Sequence, residues 1–185
     1  PIEFRRMNSL EVGAVTCTGQ VMRESVGLKE CIDIVEKEMK AHHHQQGEPF
    51  RWTWREDAKR YAWAVALASK NTGLGGGADD VAGAELELFP DGAVEIRTSS
   101  ADLGQGLAAV AAQCVAEELG LPYERVRVLL SDTDLTPDGG PTTASRQTFV
   151  TGNAARLAAR GMRERLASVV SERWGGPPDA ITFEN

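Results

Sequence analysis

Ala84-Glu85-Leu86-Glu87-Leu88-Phe89-Pro90-Asp91-Gly92-Ala93-Val94-Glu95-Ile96-Arg97-Thr98 is the stretch that decides the fold. Ala84, Leu86 and Leu88 alternate with Glu85 and Glu87; Val94, Ile96 and Thr98 alternate with Glu95 and Arg97. Successive strand side chains point to opposite faces, so each half presents one apolar and one charged face. Between them, Phe89-Pro90-Asp91-Gly92 carries Pro and Gly where a type I turn wants them. The stretch predicts a two-stranded antiparallel hairpin with one buried face.

Downstream, a loop over 99–106 leads into a predicted helix over 107–119 with the apolar stripe Leu107, Val110, Ala111, Cys114 and Val115. Gly120 followed by Leu121-Pro122 is its stop. Val126, Val128 and Leu130 alternate as a third strand, and 131–141 is a loop. A long helix is predicted over 143–173, with a stripe of small residues (Ala144, Thr148, Gly152, Ala155, Ala159) continued by Met162, Leu166, Val169 and Val170. Arg156, Arg160 and Arg163 line another side, facing solvent. The order strand, strand, helix, strand, helix predicts the α+β class: a mostly antiparallel sheet with helices packed on one face.

Upstream, residues 27–46 read as a helix on Leu28, Cys31, Ile32, Val35 and Met39, running out into His42-His43-His44-Gln45-Gln46-Gly47 with Gly47 as its stop. Consecutive helix positions point roughly 100° apart, so three adjacent histidines cannot converge on one ion alone, and no metal ligand is assigned. Trp52 and Trp54 share one face of an extended segment, as core or as a docking surface. Residues 61–69 are a strand candidate, and 71–80 form a glycine-rich loop that either links or lets backbone approach a ligand. The expected division is an N-terminal joining segment, 1–60, and an α+β unit, 61–185.

Composition narrows the classes. With 185 residues, 42% apolar and 25% charged, the chain is neither collagen, low-complexity disorder nor coiled coil. No run approaches the ~18 apolar residues of a membrane span, so no membrane partner is expected. Cys17, Cys31 and Cys114 are far apart and form no CxxC, which reads as reduced thiols in a cytoplasmic protein. Of the net charge of −7, residues 61–144 alone carry 4 basic and 13 acidic side chains, an arrangement that would repel nucleic acid. The start at Pro1 and the strand-like end at Ile181-Thr182-Phe183-Glu184-Asn185 predict an excised piece of a longer polypeptide.

Two helix starts hold the candidate chemistry. At Gly104-Gln105-Gly106, two glycines let the chain turn tightly and bring N–H groups near a ligand at the positive end of a helix, and Gln105 offers a donor and an acceptor. The same pattern is also the ordinary shape of a capping turn. At Gly139-Gly140-Pro141-Thr142-Thr143-Ala144-Ser145-Arg146, hydroxyls and an Arg gather at a second helix start, as an anion site or as a hydroxyl cap with a solvated Arg. No GxSxG, P-loop or HExxH occurs. The same helix starts could also serve a nucleotide-binding module, but the sequence has neither the phosphate-loop Lys nor a GxGxxG.

Ala101-Asp102-Leu103-Gly104-Gln105-Gly106, Gln113 with Ala116-Glu117-Glu118-Leu119-Gly120, Val128 to Asp132-Thr133, Pro141-Thr142-Thr143-Ala144-Ser145-Arg146 and Gly152-Asn153-Ala154 follow one another in an order that resembles the molybdopterin-binding region of the xanthine dehydrogenase/aldehyde oxidase family of molybdenum hydroxylases. Pro1 to Asn8, Thr18-Gly19 and the helix with Leu28 and Cys31 resemble the segment before it. The resemblance covers most of the chain. It implies an oxidoreductase that hydroxylates an aldehyde or an N-heterocycle such as a purine with water-derived oxygen, using a molybdopterin-type molybdenum cofactor. Iron–sulfur clusters and a flavin or other acceptor would sit on other domains or subunits. Carried over, Gly104, Gln105 and Gly106 contact the cofactor, and Thr142, Thr143, Ala144, Ser145 and Arg146 line its other side, with Ala144 beside the molybdenum. Leu74 and Gly75 fall where the family has a substrate channel. The family's glycine- and Phe-rich cofactor segment, its Gly-Glu motif with the catalytic glutamate, and its cluster cysteines are not among these residues, so no catalytic residue is assigned. The resemblance implies partners in the remaining domains of the molybdenum subunit, and an isolated chain that folds but is inactive. The rival expectation is a non-catalytic scaffold domain that keeps the fold without the cofactor.

Overall fold

The structure, a computed structural model, describes residues 1–45 and 49–184. It forms two compact units, Pro1–Ser69 and Lys70–Asn185. The expected stop at Gly47 and the side chains of His43 and His44 lie outside the described residues.

The first unit holds helices α1 (Ile2–Met7) and α2 (Leu28–Gln45) and strands β1 (Thr53–Glu56) and β2 (Lys59–Ala62). The strands pair antiparallel, with Trp54 opposite Tyr61 and the two rings stacked 5.2 Å apart. Ile2, Ile32 and Met39 form a small core with Phe50, Trp52, Trp63, Val65 and Leu67 against it. Trp52 therefore serves this core. The expected strand over 61–69 is hydrogen-bonded as a strand only through Ala62.

The second unit contains β3 (Glu85–Leu88), β4 (Val94–Thr98), α3 (Leu107–Leu119), β5 (Val126–Leu130) and α4 (Gln147–Trp174). The hairpin of β3 and β4 forms as its alternation requires, with Leu86 opposite Ile96. The sheet order is β3-β4-β5, and the α+β class stands. β5 runs parallel to β4, placing Val126 beside Val94 and Leu130 beside Thr98. A strand that follows a crossover helix starts again at the end where its neighbour started, and α3 is that helix. Both helices pack on one face, over Val94, Ile96, Val126 and the half-buried Leu86 and Val128.

α3 and α4 approach closely because small residues meet: Ala111, Ala112 and Val115 against Ala155 and Ala159, all in one buried cluster. The stripe departs from expectation at its start. Helix α4 begins at Gln147, four residues later than the pattern suggests, because Ala144 and Ser145 are both left-handed, at φ 54° and 51°. Ala144 and the exposed Thr148 lie outside the stripe, and Thr151 is buried in it. Arg160 is exposed, as expected, while Arg163 is less solvated than expected. Arg160 Nε lies 3.4 Å from Glu118 Oε1, and the Arg163 guanidinium lies over the Phe183 ring. Among the described residues, no helix is long and apolar enough to cross a membrane.

Two glycines show where backbone freedom is needed and where it is not. Gly120 caps α3 at φ 61°, and an added Cβ would stand 2.6 Å from the Phe183 carbonyl oxygen. At Gly152 a Cβ would meet only the Cys114 sulfur, at an ordinary 3.5 Å. Gly152→Ala is expected to raise stability by about 0.5–1 kcal/mol through helix propensity. Gly120→Ala is expected to lower it by at least ~1 kcal/mol. Urea unfolding of the 185-residue chain reads both, and a destabilised Gly152→Ala would contradict the spacing between α3 and α4.

Candidate functional site

Parallel strands carry the chain out of a sheet at the same end. β4 and β5 therefore deliver two loops, 99–106 and 131–146, to one place, where open α/β sheets commonly bind ligands. A third segment, 71–83, is bonded to them.

The hub is Arg146, whose side chain is fully buried. Its Nε–H donates to Asp80 Oδ1, Nη1 donates to the carbonyls of Gly139 (3.1 Å) and Pro141 (2.9 Å), and Nη2 donates to the carbonyl of Val81. Four of the five guanidinium N–H groups are thus spent on the protein's own loops. Arg146 is neither solvated nor aimed at an external anion. It ties segment 71–83 to the loop before α4. Asp80 Oδ2 also accepts the Leu74 N–H at 3.1 Å, and the Gly73 N–H donates to the Ala144 carbonyl at 2.8 Å. The Arg146 guanidinium, with help from the Leu74 N–H, holds the Asp80 carboxyl below the usual carboxylate range.

A hydroxyl and amide network joins the two strand-end loops. The Ala101 N–H donates to Thr142 Oγ1 at 2.8 Å, and Gln147 Nε2 donates to the same oxygen at 2.9 Å. The Gly139 N–H donates to Ser99 Oγ at 2.6 Å. Ser100 Oγ lies 3.1 Å from Gln147 Oε1 and 3.0 Å from Thr151 Oγ1. Among the described residues every buried side-chain polar atom has a partner, as a polar interior requires.

The first helix start is a capping turn, and its cap is Asp102. The carboxylate accepts the N–H groups of Gly104 (2.9 Å), Gly106 (3.2 Å) and Ala108 (3.0 Å). These bonds, the one from Ala108 foremost, hold the Asp102 carboxyl below its ordinary range. Gln105 folds back over the turn: its Oε1 accepts the Leu103 N–H at 2.5 Å and its Nε2 donates to the Ala101 carbonyl at 3.0 Å. Gly104 and Gly106 have φ of 100° and 82°, and a Cβ on either would meet nothing within 4 Å. Open space remains beside Gln105.

The structure thus brings the sequence candidates into one neighbourhood. Gln105 connects through Ala101 to Thr142, while Leu74 connects through Asp80 to Arg146 and through Gly73 to Ala144. Gly75 lies in the same loop, its carbonyl accepting the Ala78 N–H at 3.0 Å. Thr143 and Ser145 are exposed, and Ala144 is 2% exposed. Sequence reasoning missed Asp80, Asp102, Ser100, Gln147 and Thr151. Asp102 had a legible signal, an Asp four residues ahead of the glycine that opens a helix. Asp80 had none, since its partner lies 66 residues away.

The sequence model of a molybdopterin cofactor-binding domain matches residues 35–185. The chain belongs to the molybdopterin cofactor-binding domain family. One relative in this family's neighbourhood is the 6-hydroxypseudooxynicotine dehydrogenase complex subunit gamma of Paenarthrobacter nicotinovorans, 37% identical over 69% of this chain and 16% of its own length. A second is a putative xanthine dehydrogenase molybdenum-binding subunit of Escherichia coli, 32% identical over 90% of this chain and 22% of its own length. The chain therefore spans about a fifth of these relatives. Quinoline 2-oxidoreductase from Pseudomonas putida 86 shares the fold, with a TM-score of 0.59 at 22% identity, over 100% of this chain and 24% of that one.

The cap of α3 makes stability depend on pH. The folded-state pKa of Asp102 is depressed, so its contribution is full above the unfolded value and lost as pH falls through the folded one. Asp102→Asn is expected to be destabilising at about pH 6 and measurably less so at about pH 3, where the unfolded carboxyl has begun to protonate. Urea midpoints of the two proteins at both pH values check this; a penalty that stays constant would show that the carboxylate charge does no work at the cap.

Proposed function

We propose that the chain forms part of the cofactor site of a molybdenum hydroxylase, an oxidoreductase that hydroxylates an aldehyde or an N-heterocycle with water-derived oxygen. The observation that carries this reading is the convergence of three loops around the left-handed pair Ala144–Ser145, in a chain of this cofactor-binding family. Adjacent left-handed non-glycine residues cost roughly 1–2 kcal/mol each, and such strain persists where the surroundings over-determine it, often at functional sites.

The residues present fit the cofactor. The space over Gly104 and Gly106 is a cradle that any Cβ would enter. The exposed donors at the two helix starts are neutral: the Gln105 amide and the hydroxyls of Thr143 and Ser145. Gln105 would hold the cofactor from one side and Thr142, Thr143 and Ser145 from the other, with Arg146 fixing their loop from within and Ala144 keeping the approach narrow. When bound, the molybdenum cofactor supplies oxygen transfer and a two-electron redox centre. Residues of this chain orient it and leave Leu74 and Gly75 along the substrate's path. The full protein would add the remaining domains of the molybdenum subunit, with iron–sulfur clusters and a flavin on other domains or subunits, in the cytoplasm. The residues that move protons would lie on those other domains, and the isolated chain is expected to be inactive.

In the longer protein that contains this chain, Gln105→Ala is expected to lower molybdenum content or turnover. Losing a polar partner at a desolvated contact costs about 1–3 kcal/mol, roughly five- to more than a hundredfold. Ala144→Phe is expected to abolish turnover while leaving the protein folded, since overpacking costs about 1–3 kcal/mol; Ala144→Gly, which relieves the positive φ, is expected to stay active. Elemental analysis and oxidation of xanthine and benzaldehyde with an artificial electron acceptor read these outcomes. Full activity in Ala144→Phe would overturn the placement of Ala144, and a parent without molybdenum would favour a scaffold domain.

A further inference from the structure

Asp80 belongs to no motif and to no element of the sheet, yet it holds two of the three loops together. Its Oδ1 takes the Arg146 Nε–H and its Oδ2 takes the Leu74 N–H at 3.1 Å. Beside it, the Gly73 N–H reaches the Ala144 carbonyl at 2.8 Å. The chain is glycine where it closes around this pair. A Cβ on Gly73 would stand 3.1 Å from Asp80 Oδ2, and one on Gly140 would stand 2.9 Å from the Val81 carbonyl and 3.2 Å from Arg146 Nη2.

We infer that Asp80 is a positioning residue which, through Arg146, sets the separation between the Leu74 loop and Ala144 and so the width of the substrate's path to the cofactor. The inference rests on the proposed function for the meaning of that path; the coupling of the two loops rests on geometry alone. The planar guanidinium holds this segment at two neighbouring points, the Asp80 carboxylate through Nε–H and the Val81 carbonyl through Nη2, which fixes both distance and angle. The bonds to Leu74 and from Gly73 transmit that placement to the two sides of the path. Asp80 itself reaches no substrate; it acts through its neighbours.

Two measurements test it. In the 185-residue chain, hydrogen exchange is followed by mass spectrometry in wild type, Asp80→Asn and Asp80→Ala. Both variants are expected to speed exchange about tenfold or more in 72–76 and in 139–146 together, with α3 unchanged. Acceleration confined to 72–76, or none, overturns the coupling. In the longer protein, with xanthine or benzaldehyde as substrate, Asp80→Asn is expected to raise KM about tenfold while kcat falls less than threefold and molybdenum content stays at the parent's level. Asp80→Glu, which restores the charge, is expected to recover much of the KM. Parallel loss of molybdenum and kcat at unchanged KM would mean a merely structural role and overturns the inference. A parent without molybdenum refutes the proposed function and the substrate half of this inference with it. Unchanged exchange in the variants of a molybdenum-loaded protein refutes the inference alone.

Discussion

A guanidinium taken out of water must find an acceptor for nearly every N–H, or its desolvation is uncompensated. Arg146 meets that demand by drawing Asp80, Val81, Gly139 and Pro141 around itself. Everything particular about the site follows from this one side chain. The loop before α4 must bend inward to supply two of its carbonyls, and the bend is taken up as left-handed backbone at Ala144 and Ser145. The same bend delays the start of α4 to Gln147 and leaves Thr143 and Ser145 facing outward. Segment 71–83 must come close enough to supply the carboxylate and a third carbonyl, which brings Leu74 to the same place.

The sheet supplies the platform for that arrangement. Because α3 returns the chain to the start of the sheet, β5 runs alongside β4 and both strands release their loops at one end. The α3–α4 contact of small residues holds the platform rigid. Asp102 fixes the first loop by neutralising the start of α3, and Ser100 fixes it to α4 through Gln147 and Thr151. A loop pinned at both ends by charge and hydroxyl contacts can keep a glycine-lined space open without collapsing onto it. That is the property a site needs when its ligand arrives after folding.

Strong local patterns were legible in the sequence. The hairpin at 85–98, the span of α3 and the Gly120 stop depend on alternation, helical spacing and one residue that tolerates positive φ. The direction of β5 was not legible, since Val126, Val128 and Leu130 alternate identically whether their neighbour runs parallel or antiparallel. Nor was the true start of α4. Thr143 to Arg146 carry no helix breaker, and their conformation is imposed by Asp80 from 66 residues away. The small-residue stripe was right from Gly152 onward and wrong before it for the same reason. The candidate residues that the structure brings together were legible as a group only through the family resemblance of their motifs. The roles within it were not, because whether an Arg beside hydroxyls meets a ligand or its own loops depends on which distant carboxylate reaches it.

The environment of the Arg146 guanidinium is the most direct test of this account. Nitrogen-15 NMR of the 185-residue chain can follow the Nε–H of each arginine. With Nε–H bonded to a carboxylate in a buried position, the account predicts that the Arg146 signal exchanges with water orders of magnitude more slowly than exposed arginines such as Arg156. It also predicts that Asp80→Ala removes this protection. An Arg146 Nε–H that exchanges as fast as that of Arg156 would contradict the account, because a solvated guanidinium could not hold the loops together.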